Sequence, residues 1–185
     1  MSFSSRYLYG DVNHQLQRGA ISESLRIRLW NNFYEGIVHH VEWPFENESI
    51  YNFLKTCWDS IFKLNIRDFS QLNNTYMGQK INQVFLNLEW FQVFDLIENT
   101  INFDQSLKDK FNRTLKEEGS AYRIVNNQVI EIISEEEIKE IERVFEQPDK
   151  FNPVKNHLNK SIRYLSNRER PDYENSIKES ISAIE

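Results

Sequence analysis

The fold of this chain is decided by residues 121–146, AYRIVNNQVIEIISEEEIKEIERVFE. Two runs of β-favouring residues, Tyr122–Val125 and Gln128–Ile133, flank the dipeptide Asn126-Asn127. Asparagine tolerates a positive φ better than any other residue except glycine, so this dipeptide suits a two-residue type I′ turn. The pattern therefore predicts a small antiparallel β-hairpin over about residues 122–133.

A helix is predicted directly after the hairpin. Ser134 and Glu137 have the spacing of a capping box, in which each side chain bonds the backbone N–H of the other residue. The apolar residues that follow form one stripe at helical spacing: Ile138, Ile141, Val144 and Phe145. The capping box and the positive helix N-terminus also explain the acidic run at 135–137, so we interpret that run as structural rather than as a cation site.

The hairpin needs a platform, because an isolated two-stranded hairpin is only marginally stable in water. With a two-residue loop, Tyr122, Ile124 and Val129 share one face of the hairpin. Ile130 and Ile132 lie on the other face. We therefore expect both faces to be partly covered.

The rest of the chain is predicted to supply this platform as helices, since apolar residues recur at helical spacing through most of it. The expected helices cover about residues 12–17, 22–41, 48–64, 75–101 (divided near 87–89), 104–118, 154–166 and 172–185, with a polar connection at 65–74. Ser22, Asp104 and Asp172 are the expected N-caps, and Gly119 is the expected C-terminal stop. The predicted fold class is α+β: a predominantly α-helical bundle with one small β-hairpin.

Two parts are predicted along the chain. Residues 1–150 form an N-terminal domain with helices, hairpin and capped helix, and residues 151–185 form a connecting helix and the first helix of a truncated second domain. An apolar stripe in the last segment is still running at the end of the chain; its members are Tyr173, Ile177, Ile181 and Ile184. Such a stripe indicates either a truncated chain or a face that packs on another subunit.

The composition excludes several classes of protein. The 185 residues suffice for a substantial core, and 14% of aromatic residues argues against disorder. A net charge of −6 argues against an evenly basic nucleic-acid-binding protein. The single cysteine, Cys57, excludes an intrachain disulfide and a cysteine-rich metal site. No apolar run approaches membrane-spanning length and the start lacks the apolar region of a secretory signal, so we expect a cytoplasmic protein with no membrane partner.

The sequence contains no complete catalytic constellation. His39 and His40 are adjacent, and neighbouring residues on a helix point too far apart to share one metal ion. We therefore predict no catalytic residues, no metal site and no cofactor.

Two loose basic groups are candidates for RNA or ligand binding. The first contains Arg6, Arg26 and Trp30; the last two lie one helical turn apart and form either a ligand-facing stacked pair or the edge of the core. The second contains Arg163, Arg168 and Arg170, which can contact RNA phosphates. Acidic neighbours make an exposed surface of mixed charge the alternative for this second group.

Three stretches resemble a known family. They are SSRYLYGDVNHQLQRGAISESLRIRLWNNFYE (4–35), the hairpin-and-helix stretch 121–146, and HLNKSIRYLSNRERPDYENSIKESISAIE (157–185). The first two resemble the N-terminal domain, of the fourth type, of the abortive-infection AbiJ family. The third resembles the junction into a C-terminal HEPN domain.

The resemblance implies a bacterial, cytosolic anti-phage protein. HEPN domains are helical bundles, commonly dimeric, and many are metal-independent RNases whose signature is an arginine, four to six residues, then a histidine. That signature is absent from this sequence, so the resemblance assigns RNase activity only to a region beyond Glu185.

The resemblance and the last apolar stripe together predict a non-catalytic sensor or regulatory module of an abortive-infection HEPN effector. The last helix would couple this module to the effector domain or to a dimer partner. The alternatives are an RNase toxin whose Arg–His motif lies beyond Glu185, and a plain dimerisation scaffold. The expected partner is a second copy or an intramolecular effector domain, with RNA or a phage component as further candidates.

Overall fold

The computed structural model describes residues 17–41, 47–71, 74–131, 143–144, 148–166 and 172–183. The described α-helices are α1 (Glu23–Gly36), α2 (Glu48–Ser60), α3 (Ile66–Gln71), α4 (Asn74–Leu86), α5 (Trp90–Phe103), α6 (Lys108–Glu117), α7 (Asn152–Ser166) and α8 (Tyr173–Ser182). Strands β1 (Tyr122–Val125) and β2 (Gln128–Glu131) lie between α6 and α7, and short 3-10 helices occupy Val38–Val41, Gln105–Leu107 and Asp149–Phe151. The predicted α+β class, a helical bundle with a small antiparallel hairpin, is confirmed.

The hairpin has the predicted turn. Val125 pairs with Gln128, which leaves a two-residue loop, and Asn126 and Asn127 both have a positive φ, of 45° and 63°. A type I′ turn requires these two left-handed conformations. The predicted continuation of the second strand to Ile133, and the capped helix that begins at Ser134, lie outside the described residues except for 143–144.

The two faces of the hairpin are buried in different apolar clusters, as expected from the alternation along its strands. Tyr122, Ile124 and Val129 belong to the main core, which the first six helices build. Val125 and Ile130 belong to a second, small cluster completed by residues of α7. The hairpin therefore joins the bundle to α7.

Most predicted helix caps are confirmed. Ser22 accepts a hydrogen bond from the Leu25 N–H at 3.1 Å, and Asp172 accepts one from the Asn175 N–H at 3.0 Å. Gly119 follows α6 with a φ of +65°, the left-handed conformation that ends many helices. Asp104 caps the 3-10 turn that precedes α6, rather than α6 itself.

Three predicted boundaries were wrong. The first helix ends at Gly36 instead of near residue 41. A Cβ atom at position 36 would lie only 2.7 Å from Cδ1 of Leu107, so a larger residue does not fit there. The second helix ends at Ser60, and Lys63 then takes a positive φ of 53°. The supposed polar connection at 65–74 contains α3, because Phe69 in this segment is fully buried.

Polar contacts fix α1 along α6. Arg28 forms ion pairs with Glu117 and Glu118, and Lys110 forms one with Glu35. Between these ion pairs the buried Asn32 side chain donates to the Thr114 hydroxyl at 2.8 Å.

None of the helices in the described part of the chain has the length and apolar character needed to span a lipid bilayer.

Candidate functional site

The most exposed apolar surface of the described residues lies on α8. Tyr173, Ile177 and Ile181 are 62%, 61% and 53% exposed, and they follow one another at intervals of four residues along the helix. We name these three residues the α8 ridge. Three of the four residues of the predicted partner interface thus lie side by side on the surface, and Ile184 lies outside the described residues.

The face of α8 next to the ridge is polar and packs against α7 through three serines, Ser161 of α7 and Ser176 and Ser180 of α8, which we name the serine cluster. The Ser161 hydroxyl lies 3.1 Å from the Ser176 hydroxyl and 2.7 Å from the Ser180 hydroxyl, and Ser176 also donates to the Ser161 carbonyl oxygen at 3.0 Å. Ser161 and Ser176 are buried. Small serine side chains allow two helices to approach closely, while the hydrogen bonds satisfy their hydroxyl groups. The contact between α7 and α8 therefore uses the polar face of α8 and leaves the apolar face exposed.

A charged contact lies beside the serine cluster. His157 Nδ1 lies 2.6 Å from Glu179 Oε2, and Lys160 Nζ lies 4.0 Å from the same oxygen. The hydrogen bond with His157, together with the charges of Lys160, His157 and Lys178, lowers the pKa of Glu179. Glu179 is therefore ionised near neutral pH and holds α8 to α7.

The pair of helices α7 and α8 is anchored on the hairpin. Ile162 of α7 packs with Val125 and Ile130, and half-buried Leu158 borders this cluster. Asn126, at the tip of the hairpin, donates a side-chain hydrogen bond to Asn159. The surface that carries the α8 ridge is thus linked to the main core through β1 and β2.

The structure places Arg26 and Trp30 at the edge of the main core. The Arg26 guanidinium donates to the carbonyl oxygens of Phe85, at 3.2 Å, and Leu88, at 2.7 Å, where α4 ends. Burial lowers the pKa of Arg26, and the charge of Glu89 opposes this effect. Trp30 is 9% exposed and its ring lies 5.4 Å from that of Phe85. These contacts match the core-edge alternative; Arg6 lies outside the described residues, and a ligand-binding role for this group stays a prediction.

The second basic group is represented by Arg163. It is exposed on α7, as are Lys160 and Tyr164, whereas Arg168 and Arg170 lie outside the described residues. A binding role for these arginines stays a prediction.

Away from α7 and α8, the described ranges offer a buried thiol and a small cavity as chemical features. Burial raises the pKa of Cys57 to about 12, so its thiol is protonated near neutral pH. The cavity, of about 260 Å³, lies where α2 begins and is lined by His40, Val41, Asn47, Glu48 and Tyr51. The described ranges contain no group of three or more His, Cys, Asp or Glu side chains that could hold a metal ion.

The sequence interpretation missed the serine cluster and the His157–Glu179 contact. The signal was the helical spacing of His157 and Ser161 in α7, and of Ser176 and Ser180 in α8. These polar positions fall on a face that an amphipathic pattern assigns to solvent, so the pattern alone does not show that they are buried.

The comparison with known families supports the resemblance of the first two stretches to the AbiJ N-terminal domain, whereas the resemblance of residues 157–185 to a HEPN junction stays a prediction. No curated protein and no solved structure matches the chain significantly. The family model described as AbiJ N-terminal domain 4 matches residues 1–147, which is most of the chain, and suggests a role related to abortive infection. The chain therefore belongs to the AbiJ N-terminal domain 4 family.

Proposed function

We propose that this chain is a non-catalytic regulatory module of a cytoplasmic abortive-infection HEPN effector, and that the α8 ridge couples it to the rest of the assembly. The observation that supports this proposal is the orientation of α8. Ser176 is buried and Ser180 half-buried against α7, while Tyr173, Ile177 and Ile181 remain exposed.

The energetics favour a partner for the ridge. Burying an isoleucine side chain fully contributes roughly 1.5–3 kcal/mol, whereas a neutral hydrogen bond such as those of the serine cluster contributes about 1 kcal/mol. A helix that buries its hydroxyl groups and exposes its isoleucines forgoes the larger contribution. A partner surface that covers the ridge recovers it.

The proposal is tested by Ile177→Asp in the native protein, expressed in bacteria challenged with phage. A charge at the centre of the ridge should prevent coupling, so plaque formation should differ at least tenfold from that with the native protein, at an unchanged melting temperature. Ile27→Asp is the matched control, because Ile27 is also exposed, at 44%, but lies on α1. Equal plaque formation with Ile177→Asp and the native protein would refute the coupling role.

A sensor differs from a plain dimerisation scaffold in its response to a trigger. Lysate from phage-infected cells should raise the melting temperature of a sensor, because a ligand that binds only the folded state stabilises it. A scaffold should show the same melting temperature in lysates from infected and uninfected cells.

A second candidate function is RNA binding, as part of an RNase toxin. The observation that favours it is the exposure of Lys160, Arg163 and Tyr164 together on α7, since cations and an aromatic ring suit phosphates and bases. Arg163→Glu should weaken binding of single-stranded RNA most at low salt. The control is Arg113→Glu on α6, which makes the same charge change at another exposed site. Absence of salt-dependent RNA binding by the unmodified chain would refute this function.

A further inference from the structure

We infer that the α8 ridge binds the α8 ridge of a second copy of this chain, with the two helices antiparallel and centred on Ile177. This inference rests on the proposed function in taking the ridge as an interface, and it adds the identity and orientation of the partner. The geometry of the ridge and the charges beside it both support this pairing.

The spacing of the ridge suits a pair of identical helices. Side chains at intervals of four residues form the ridges that interdigitate in the commonest class of helix packing, in which both helices use the same kind of ridge and cross at about −50°. Contact at such a crossing is confined to a few residues on each helix. The three residues of the ridge match that length, and a two-fold axis near Ile177 brings Tyr173 of one copy towards Ile181 of the other.

The charges beside the ridge are reciprocal. Glu174 and Lys178 are one turn apart on the same flank of the ridge, on the side away from Ser176 and Ser180. Both are exposed, and neither forms an ion pair or a hydrogen bond with any other residue in the described part of the chain. The charge of Lys178 also acts on the neighbouring Glu179, but no ion pair engages Glu174 or Lys178, so both opposite charges remain accessible to a partner.

An antiparallel pair uses these charges and a parallel pair does not. A two-fold axis perpendicular to both helices keeps the flank on the same side of the pair and reverses the direction of the chain. Glu174 of each copy then faces Lys178 of the other, so two equivalent ion pairs border the ridge. In a parallel pair the two flanks lie on opposite sides of the contact.

The area of the ridge sets the strength of association. Its exposed apolar surface is on the order of 300 Å² per copy, whereas a stable interface of standard size buries about 800 Å² on each partner. The pairing is therefore weak and reversible, as is typical of interfaces below the standard size. Such an interface responds to the local concentration of the chain.

The test is sedimentation of the purified full chain over a concentration series up to about 1 mM, alone and in mixtures. Glu174→Lys and Lys178→Glu each create like charges across the interface, so each variant alone should associate at least tenfold more weakly than the native chain. In a mixture, one variant has lysine at both positions and the other has glutamate at both, so opposite charges face each other again in both ion pairs. The mixture should therefore associate as strongly as the native chain. A substitution that merely destabilised α8 would weaken association in the mixture as well, so restored association identifies the ion pairs as the cause.

The controls are Glu23→Lys and Lys80→Glu, which make the same charge changes at exposed helical positions away from the ridge. They should associate as the native chain does, separately and mixed. A native chain that stays monomeric at every concentration, variants that associate normally, or a mixture without restored association would each overturn the inference.

The outcomes also separate this inference from the proposed function. If the charge variants leave self-association unchanged while Ile177→Asp alters plaque formation, the ridge couples to a different surface and only the second-copy inference fails. If the charge variants behave as expected while Ile177→Asp leaves plaque formation unchanged, the pairing is real and the regulatory role fails.

Discussion

At the scale of single residues, the hairpin depends on side chains that form hydrogen bonds with the outward-pointing backbone groups of its strands. The Asn112 side chain accepts a hydrogen bond from the Ile124 N–H at 2.7 Å and donates one to the Ile124 carbonyl at 2.9 Å. Glu98 accepts a hydrogen bond from the Val129 N–H on the other edge, at 2.6 Å. Because Ile124 and Val129 form a non-hydrogen-bonded pair, their backbone groups point outward and need such partners. The same contacts occupy the outward-pointing backbone groups, which therefore cannot pair with another chain.

Asn112→Ala should lower the free energy of unfolding by about 2 kcal/mol or more, because it leaves a backbone donor and acceptor of a buried residue without partners. Asn102→Ala is the control, since Asn102 is an exposed helical asparagine. It should change the free energy by less than about 0.5 kcal/mol. Urea unfolding measures both values, and equal midpoints for the two variants would show that the Asn112 contacts are not important.

The turn provides a second prediction at this scale. Asn127 has a φ of 63°, so Asn127→Gly should stabilise the hairpin by a few tenths of a kcal/mol or leave it unchanged, whereas Asn127→Val should destabilise it by about 1–2 kcal/mol. Asn126 is left intact, because its side chain bonds Asn159. The difference between the two variants in thermal unfolding is the measurement. Equal melting temperatures would contradict the type I′ geometry in solution.

Local residues of this kind could be predicted from the sequence, and distant contacts could not. Asn126 and Asn127 form a turn between consecutive strands, and Ser22 and Asp172 each accept a hydrogen bond from the backbone N–H three residues later, so a short stretch of sequence contains all that each feature needs. Gln17 instead donates its backbone N–H to the Gly119 carbonyl at 2.9 Å, across 102 residues. No local pattern predicts such a contact, because it exists only after the chain has folded.

At the scale of elements, the attachment of α8 to α7 should depend on pH. His157, Lys160 and Lys178 all lower the pKa of Glu179, whose ordinary value is 4.5. A carboxyl group whose pKa is lower in the folded state stabilises that state above its ordinary pKa, and the contribution is lost as the pH falls through the lowered value. The contribution of Glu179 to holding helix α8 should therefore be lost as the pH falls below about 4.5.

Glu179→Gln should reduce this dependence. Amide hydrogen exchange, expressed as protection factors, should show weaker protection of α8 at neutral pH in the variant and a smaller change below pH 4.5. Glu23→Gln, at an exposed position on α1, should behave like the native chain. A native α8 whose protection is the same at pH 3.5 and pH 7 would contradict the role of the His157–Glu179 contact.

Elements with one apolar face were predicted more reliably than elements with mixed faces. The helix break near residues 87–89 was predicted because the apolar stripe changes face there. It is confirmed, since one helix ends at Leu86 and the next begins at Trp90. The α8 ridge was also predicted from its spacing. Helix α3 was missed because a single residue, Phe69, anchors it by packing against Tyr51 and Trp58. One buried ring in a polar segment produces no periodicity.

At the scale of the whole molecule, the described residues contain a large core and a small cluster that share the hairpin. Among the described residues, the buried members of the small cluster are Val125, Ile130 and Ile162. Regions with few buried apolar contacts open with a lower free energy than the global unfolding of the domain. The α7–α8 pair should therefore separate from the bundle more readily than the bundle unfolds. The sequence indicated that both faces of the hairpin are covered, but it could not assign the covering helix to either face.

Two equivalent substitutions on the hairpin test this division. Ile124 and Ile130 lie on opposite faces, in the main core and the small cluster respectively. Ile124→Ala should lower the free energy of global unfolding by roughly 2–5 kcal/mol and increase exchange throughout the bundle, because it creates a cavity in the large core. Ile130→Ala should have a smaller global effect, and its increase in hydrogen exchange should be concentrated in α7 and α8. If Ile130→Ala instead accelerates exchange equally in α1 and α7, the two clusters unfold as one cooperative unit, and the α8 ridge is displayed by the bundle as a whole rather than by a separable pair of helices.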